Sequence, residues 1–192
     1  VLGGGNIYRG RELTSLNIDQ VSADYIGMLS TIMNGIALSN FLSSNNCENS
    51  LFSSFAIGNF VKAYSKEEAE KSLVEDKIVI LVGGLGNPLF TTDSTASVRA
   101  VELNSDVMLK ATNVDGVYSD DPKVNKEAVK YEHLSFDEAI TKNLKVMDQT
   151  SLCFCRDNNL SVRVFNADAE GAILEAIINE NTDIGTLVEL EK

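Results

Sequence analysis

Hydrophobic residues recur along this chain in two patterns, one with a period of three to four residues and one of short continuous runs. The first pattern is clearest over residues 21–42, where it predicts a long amphipathic helix capped by Asp19 or Ser22. Its apolar stripe consists of Val21, Tyr25, Met28, Leu29, Ile32, Met33, Ile36 and Leu42. Glycine costs a helix about 1 kcal/mol relative to alanine. Gly27 and Gly35 therefore indicate that another backbone packs closely on this helix.

Continuous apolar runs and amphipathic stretches alternate through the rest of the chain. The runs predict strands over residues 51–57, 77–82, 106–111, 161–165 and 185–190. The run KIVILV at 77–82 is typical of a strand buried on both faces. The amphipathic stretches predict helices over residues 66–74, 95–103, 135–141, 148–158 and 170–178. This alternation indicates a single α/β domain over residues 1–192, with a mainly parallel sheet covered on both faces.

The composition narrows the class of protein further. A chain of 192 residues can bury a core of its own, and we find no apolar run near the roughly 18 residues that would predict a membrane span. The net charge of −12 argues against non-specific nucleic-acid binding, although it permits a local nucleotide site. Three cysteines without metal-type spacing and a single histidine favour neither a disulfide framework nor a zinc site. We expect a cytoplasmic protein that binds neither nucleic acid nor membrane.

The first ten residues, VLGGGNIYRG, have the character of a strand that ends in a glycine turn. They carry no initiator methionine and no charged leader. We therefore expect the chain to begin within its fold.

Three polar loops follow expected strands and are the candidates for chemistry. They read GGGNIYRG from Gly3, GGLGNPLFTTD from Gly83 and KATNVDGVYSDDP from Lys110. The carboxyl ends of parallel strands meet at one edge of a sheet, and ligands bind there. The shared position of the loops therefore favours a single ligand site.

Each loop also has a purely structural interpretation. The glycines at 3–5 either form a tight turn or let a ligand approach the main chain, with Arg9 as a charged fork for phosphate oxygens. Thr92 or Asp93 either caps the next helix or joins its free N–H groups in an anion site. The acidic residues of the third loop either hold Mg²⁺, orient a lysine or form a solvated turn. Neither a P-loop nor a complete GxGxxG fingerprint is present in the sequence.

Taken together, these loops resemble those of the bacterial-type UMP kinases of the amino-acid-kinase superfamily. The resemblance extends over essentially the whole chain, in the family's order. It rests on GGGNIYRG, ADYIGMLSTIMNG, GNPLFTTD, LKATNVDGVYSDDP, KVMDQT, CRDNNLSVRVFN and GTLV. It implies a three-layer αβα sandwich, usually a homo-hexamer, that transfers the γ-phosphoryl group of ATP, carried with Mg²⁺, to UMP in pyrimidine nucleotide biosynthesis. It also implies GTP and UTP as allosteric effectors.

The resemblance assigns roles by matching position. The UMP-binding positions are Gly4, Asp24, Leu85, Gly86, Asn87, Pro88, Leu89, Phe90, Thr91 and Thr92. The ATP-binding positions are Gly5, Arg9, Thr112, Tyr118 and Asp121. Lys110 is the best cationic candidate for the moving phosphoryl group, and Asp93 is expected to position it or another lysine. No residue is assigned to a metal.

The family normally begins with a strand that carries a Lys and a glycine-rich turn, so the resemblance implies that an N-terminal strand is missing before Val1. The chain also departs from the family pattern at two positions in these loops. Leu85 stands where the family commonly has Thr or Ser, and Asn113 stands where Lys is frequent. These departures leave open a catalytically silent, nucleotide-binding regulatory paralogue. A relative of the acetylglutamate or aspartate kinases, which phosphorylate a carboxylate on the same fold, is a third alternative.

Overall fold

The computed structural model describes residues 1–8, 17–179 and 183–191. The chain divides into two compact units, Val1–Ala96 and Ser97–Lys192. Arg9 lies outside the described residues.

The first unit is built on a three-stranded parallel sheet. Its elements are α1 (Gln20–Ser44), β1 (Asn49–Ser53), β2 (Lys62–Ala63), α2 (Lys66–Val74), β3 (Ile78–Val82) and the first turn of α3 (Thr92–Glu102). The strand order is β2-β1-β3, and both pairings are parallel.

Helices α1 and α2 cover opposite faces of this sheet. A Cβ built on Gly35 of α1 would lie 2.9 Å from Leu51 Cδ1, whereas Ser72 Oγ of α2 donates to Ser50 Oγ at 3.0 Å. Because neighbouring residues of a strand point to opposite faces, Leu51 and Ser50 place the two helices on different sides. The unit is therefore a three-layer αβα arrangement, as expected.

The details of α1 correct part of the sequence interpretation. Asp19 is the N-cap, since its carboxylate accepts the Ser22 N–H at 3.0 Å. Gly35 is close-packed, because an added Cβ would lie 2.6 Å from Val82 Cγ1, but this neighbour is a side chain and not the expected backbone. Gly27 itself has space for a side chain, since a Cβ there would meet nothing within 4 Å.

Two other apolar stretches are more exposed than the sequence pattern suggests. Strand β3 is not buried on both faces along its length, because Ile78 at its start is 47% exposed. Half of the α1 stripe also faces solvent, and Met33 is 59% exposed. Among the described residues, α1 is the one helix long and apolar enough to cross a membrane by length and composition. Its buried residues, including Met28 and Ile32, lie on the other side of the helix.

The second unit contains a four-stranded mixed sheet. Its elements are the rest of α3, β4 (Val107–Thr112), β5 (His133–Ser135), α4 (Phe136–Thr141), α5 (Gln149–Asp157), β6 (Ser161–Asn166), α6 (Ala172–Ile178) and β7 (Thr186–Glu189). The order is β4-β6-β7-β5. Only the β6–β7 pairing is antiparallel among the described strands of this sheet. The expectation of a mainly parallel α/β fold is confirmed, with its strands divided between two sheets.

Helices again cover both faces of the second sheet. Leu109 of β4 packs with Phe165 and α6. The adjacent Met108 lies on the other face, where its sulfur accepts a hydrogen bond from Ser97 Oγ of α3 at 3.7 Å. The short strands β2 and β5 were not expected, because two or three residues are too few to set a period.

Candidate functional site

The first glycine loop is a tight turn packed against α1. The Gly4 carbonyl accepts the Ile7 and Tyr8 N–H groups at 3.0 and 3.1 Å. A Cβ on Gly4 would lie 2.7 Å from Ser30 Cβ and 2.8 Å from the Gly27 carbonyl oxygen. Glycine is therefore required at position 4 for close packing, and Gly27 marks the place where the loop approaches the helix. Gly4 is buried and Gly5 is exposed.

Asn34 of α1 anchors this loop, a role that sequence reasoning missed. Its Nδ2 donates to the Gly3 carbonyl at 2.8 Å and to Asn6 Oδ1 at 2.7 Å. The Asn6 amide donates in return to Asn34 Oδ1 at 3.1 Å. The only sequence signal was a polar amide beside the apolar stripe of the helix.

The second loop, which follows β3, is held at its base by two hydroxyl groups, of which that of Thr31 is buried. Thr31 Oγ1 of α1 accepts the Gly83 N–H at 2.7 Å and donates to the Met28 carbonyl at 2.7 Å. Ser54 Oγ donates to the Gly84 carbonyl. Gly83 has a φ of +76°, and a Cβ there would lie 2.5 Å from a hydroxyl oxygen. The loop therefore needs glycine at its first position.

Asp24 joins α1 to the tip of the same loop. Its Oδ2 accepts the Leu89 N–H at 2.8 Å, and its Oδ1 accepts the Gln20 Nε2 at 2.7 Å. Leu89 has a φ of +70°, a left-handed conformation that costs a non-glycine residue about 1–2 kcal/mol. The Asp24 carboxylate thus helps to hold a strained backbone. Two of the sequence-assigned UMP positions are brought together here.

The end of the second loop starts α3. Thr91 Oγ1 accepts the Ser94 N–H at 3.0 Å and is the cap, so the alternative that Thr92 or Asp93 caps the helix is wrong. The first-turn N–H groups of Thr92 and Asp93 lie at the positive end of the helix dipole. A Cβ on Gly3 would lie 4.0 Å from Thr92 Oγ1. The first glycine loop and the start of α3 are therefore neighbours.

In the second unit, the sequence-assigned residues of the third loop stabilise its turns. Thr112 Oγ1 accepts the Val114 N–H at 2.9 Å. Tyr118 donates its phenolic hydrogen to Asp115 at 2.9 Å, and this bond to a carboxylate raises the pKa of Tyr118. Asp121 Oδ1 accepts the Lys123 N–H at 2.9 Å. The loop is thus ordered by its own hydrogen bonds.

A cavity of about 330 Å³ lies beside this loop, within the second unit. Tyr118 and Asp121 line it, whereas Thr112 does not. The other side is formed by residues 142–145, which sequence reasoning did not assign. The lining residues are Val114, Gly116, Tyr118, Ser119, Asp120, Asp121, Pro122, Lys123, Lys142, Asn143, Leu144 and Lys145. The motif KVMDQT, which starts at Lys145, was the available signal.

The carboxylates and lysines of this cavity give it mixed charge. The Asp121 N–H and the Asn125 amide donate to Asp120 and lower the pKa of its carboxyl. Lys142 donates to Glu138 at 2.6 Å, and this bond raises the pKa of the ammonium group. Among the described residues, no group of three His, Cys, Asp or Glu side chains is placed to hold a metal ion.

Lys110 of β4 is half-buried and makes a specific contact. Its Nζ donates to the Val146 carbonyl at 3.0 Å. The side chain therefore points toward the segment 145–148 of the same unit. Asp93, the other residue expected to act in catalysis, is also half-buried.

A larger cavity, of about 640 Å³, lies in the first unit, and none of the sequence-assigned site residues lines it. Two of its lysines are paired with glutamates. Lys77 Nζ lies 2.8 Å from a carboxylate oxygen of Glu75, and Lys62 Nζ lies 3.5 Å from one of Glu68. Size alone does not make it the reaction site.

Comparison with known proteins gives consistent matches. Residues 1–166 match the sequence profile of the amino acid kinase family. The uridylate kinase of Alcanivorax borkumensis is 46% identical over 189 residues, which cover 98% of this chain and 74% of that protein. The crystal structure of UMP kinase from Bacillus anthracis matches with a TM-score of 0.94 and 40% sequence identity. This match covers all of this chain and 79% of the other chain. The crystal structure of UMP kinase from Ureaplasma parvum matches with a TM-score of 0.93 and 42% sequence identity, over 98% of this chain and 80% of the other chain.

Proposed function

Since the chain belongs to the amino acid kinase family and to its uridylate kinase branch, we propose that it transfers the γ-phosphoryl group of ATP to UMP and forms UDP. The observation that carries this proposal is 46% identity to a uridylate kinase over 98% of the chain. The TM-score of 0.94 to a UMP kinase structure gives independent support. The chain acts as one amino-acid-kinase domain in this proposal.

The UMP site consists of the glycine loop at 3–5, Asp24 and the loop 85–92. Thr92 and Asp93 offer helix N–H groups to the UMP phosphate, where the dipole favours negative charge. Asp24 is suited to accept ribose hydroxyl hydrogens, and UMP would compete there with the Leu89 N–H for its Oδ2. Because Leu85 has no hydroxyl group, uracil would be recognised at this position by backbone groups.

The positions proposed for ATP are Gly5 and Arg9 in the first unit and Thr112, Tyr118 and Asp121 in the second. Tyr118 and Asp121 line the 330 Å³ cavity. Lysines 123, 142 and 145 on the same cavity supply positive charge for a polyphosphate. Mg²⁺ usually keeps several waters and binds through substrate phosphates with one or two carboxylates. The bound ion would neutralise charge on the phosphates.

Phosphoryl transfer requires mainly that the protein aligns the reactants and stabilises charge, and it needs no side-chain nucleophile. Lys110 is proposed to stabilise the moving phosphoryl group. Asp93, at the start of α3, is proposed to orient Lys110 or another lysine.

The acceptor is tested with the full-length protein, ATP and Mg²⁺ in an ADP-coupled assay. UMP is expected to be the preferred acceptor, ahead of CMP, aspartate and acetylglutamate. Preference for a carboxylate acceptor would contradict the proposal and indicate an amino-acid kinase. Binding of UMP or UTP without turnover would instead support a regulatory role.

Replacing Asp24 with asparagine is expected to raise the KM for UMP about 10-fold and to leave the KM for ATP within about twofold. The change keeps the shape but removes the charged acceptor for the Leu89 N–H and the ribose. Steady-state kinetics with each substrate varied in turn measure the effect. Asp76→Asn, at an exposed turn after α2, is the matched control. Equal changes in both KM values would contradict ribose binding.

We also propose that the chain assembles with copies of itself, up to a homo-hexamer. The support is an exposed ridge on α1 with a spacing of four residues. It consists of Val21, Tyr25, Leu29, Met33, Ala37 and Phe41. Ridges with this spacing can interdigitate with the same ridge of a second helix, and a two-fold axis makes such a surface self-complementary. The ridge extends about 30 Å along the helix.

Met33→Lys is expected to shift the protein to a smaller assembly, because it places a charge within the apolar ridge. Light scattering coupled to size-exclusion chromatography measures the mass. The control is Val74→Lys, which alters an apolar residue that is 84% exposed and lies off the ridge. An unchanged mass for Met33→Lys would exclude the ridge as the interface.

Regulation by GTP and UTP and a cytoplasmic location are further parts of the proposal. They rest on the resemblance to bacterial-type UMP kinases alone. Rate measurements with added GTP and UTP, at fixed ATP and UMP, test the regulation.

A further inference from the structure

The hydroxyl group of Thr186, at the start of β7, joins two separate points of the segment between β4 and β5. Its Oγ1 accepts the Val117 N–H at 2.8 Å and donates to the Tyr131 carbonyl at 2.5 Å. These partners are 69 and 55 residues away in sequence. Thr186 is 0% exposed, and its bond to the Val117 N–H is buried.

Val117 and Tyr131 form the base of a two-stranded antiparallel ribbon. Its outgoing arm is residues 117–119, and its returning arm is residues 129–131. The Tyr131 N–H donates to the Val117 carbonyl at 2.9 Å, and the Ser119 N–H donates to the Val129 carbonyl at 2.9 Å. Tyr118, between these pairs, makes an antiparallel bridge. The ribbon therefore extends from the Thr186 hydroxyl toward the tip of the loop.

The returning arm also has a main-chain connection to the sheet, through the Leu187 N–H and the Glu132 carbonyl at 2.9 Å. The N–H of Val117, on the outgoing arm, is held by the Thr186 side chain. Val117 is 2% exposed, so loss of the hydroxyl would leave a buried donor without its acceptor. One side chain thus fixes the outgoing arm to β7.

The outgoing arm and the residues next to it line one side of the 330 Å³ cavity. Gly116 lies directly against the hydroxyl, since a Cβ there would be 2.6 Å from Thr186 Oγ1. Gly116, Tyr118 and Asp121 all contribute to the lining. A shift at Val117 would therefore move one wall of the cavity.

We infer that Thr186 is a positioning residue for the phosphoryl-donor site: its buried hydroxyl sets the place of the ribbon that forms the ATP-binding wall. This inference rests on the proposed function for the identity of the nucleotide. The placement of the ribbon does not depend on it.

The test compares Thr186→Val, which keeps the side-chain shape but removes the hydroxyl, with Thr186→Ser, which keeps the hydroxyl. The matched control is Thr31→Val, because Thr31 also accepts a loop N–H, at the base of the UMP loop. Calorimetry measures the dissociation constants for ATP and UMP separately. Thr186→Val is expected to weaken ATP binding about 10-fold with UMP binding nearly unchanged, and Thr31→Val is expected to do the reverse. Thr186→Ser is expected to restore ATP binding.

Amide hydrogen exchange over residues 117–131 tests the positioning without any nucleotide. Faster exchange in Thr186→Val and near wild-type exchange in Thr186→Ser are the expected results. Unchanged exchange, or equal weakening of ATP and UMP binding by Thr186→Val, would overturn the inference. Failure of the wild-type protein to bind ATP would instead overturn the proposed function, and the exchange data would still decide the role of Thr186.

Discussion

Lys110→Met is expected to lower kcat for UDP formation by about 100-fold or more, while the KM values change much less. A positioned cation that stabilises charge mainly in the transition state contributes on this scale, and methionine keeps the apolar stem without the charge. Steady-state and single-turnover kinetics measure the effect.

The contact between Lys110 and the Val146 carbonyl provides the structural alternative. If Lys110 only holds this segment, the methionine variant will lose thermal stability and retain kcat. Lys126→Met, at an exposed position of the segment between β4 and β5, is the control for removing one positive charge. A kcat for Lys110→Met within about twofold of the Lys126→Met value would contradict a catalytic role.

Gly185→Ala is expected to lower the free energy of unfolding by about 4 kcal/mol. Gly185 has a φ of +75°, and a Cβ there would lie 2.0 Å from the Val164 carbonyl oxygen. The added methyl group would force β6 and β7 apart at the place where Val164 pairs with Thr186. Urea unfolding, with the midpoint and slope fitted together, measures the change.

Gly171→Ala separates the two causes of this effect. Gly171 has almost the same φ, +76°, but a Cβ there meets nothing within 4 Å. We expect the free energy of unfolding of this variant to fall only by the cost of the left-handed backbone, about 1–2 kcal/mol. An equal decrease in the free energy of unfolding for Gly171→Ala and Gly185→Ala would show that the contact with Val164 is unimportant.

The periodic elements of the fold were predictable from the sequence. The predicted helix at 66–74 agrees with Lys66–Val74 at both ends, since Ser65 is a clear cap and the flanking residues break the pattern. The antiparallel pairing of β7 with β6 was not predictable, because the local residues of a strand do not specify the direction of its neighbour.

The apolar stripe of α1 shows a different limit. Its period correctly predicted a helix, but the period cannot distinguish residues that pack on the sheet, such as Ile32, from exposed ones, such as Met33. A helix that is apolar on more than one side has the same pattern whether its second side meets solvent or another chain.

The candidate site was predictable as a set of loops, and its internal contacts were not. The resemblance assigned Asp24 and Leu89 to the same ligand, and the structure joins them directly by a hydrogen bond. The bonds made by Thr186 and Asn34 depend on residues far away in sequence, so no local motif reveals them. Thr92 or Asp93 was expected to cap α3 in place of Thr91, because three successive polar residues offered equally good caps.

The most direct test of the proposed reaction follows the phosphoryl group itself. The full-length protein is incubated with Mg²⁺, UMP and ATP labelled at the γ-phosphate, and the products are separated. Label is expected in UDP, with one ADP formed for each UDP. Label that remains in ATP or appears only as inorganic phosphate, under conditions where UMP binds, would contradict phosphoryl transfer to UMP.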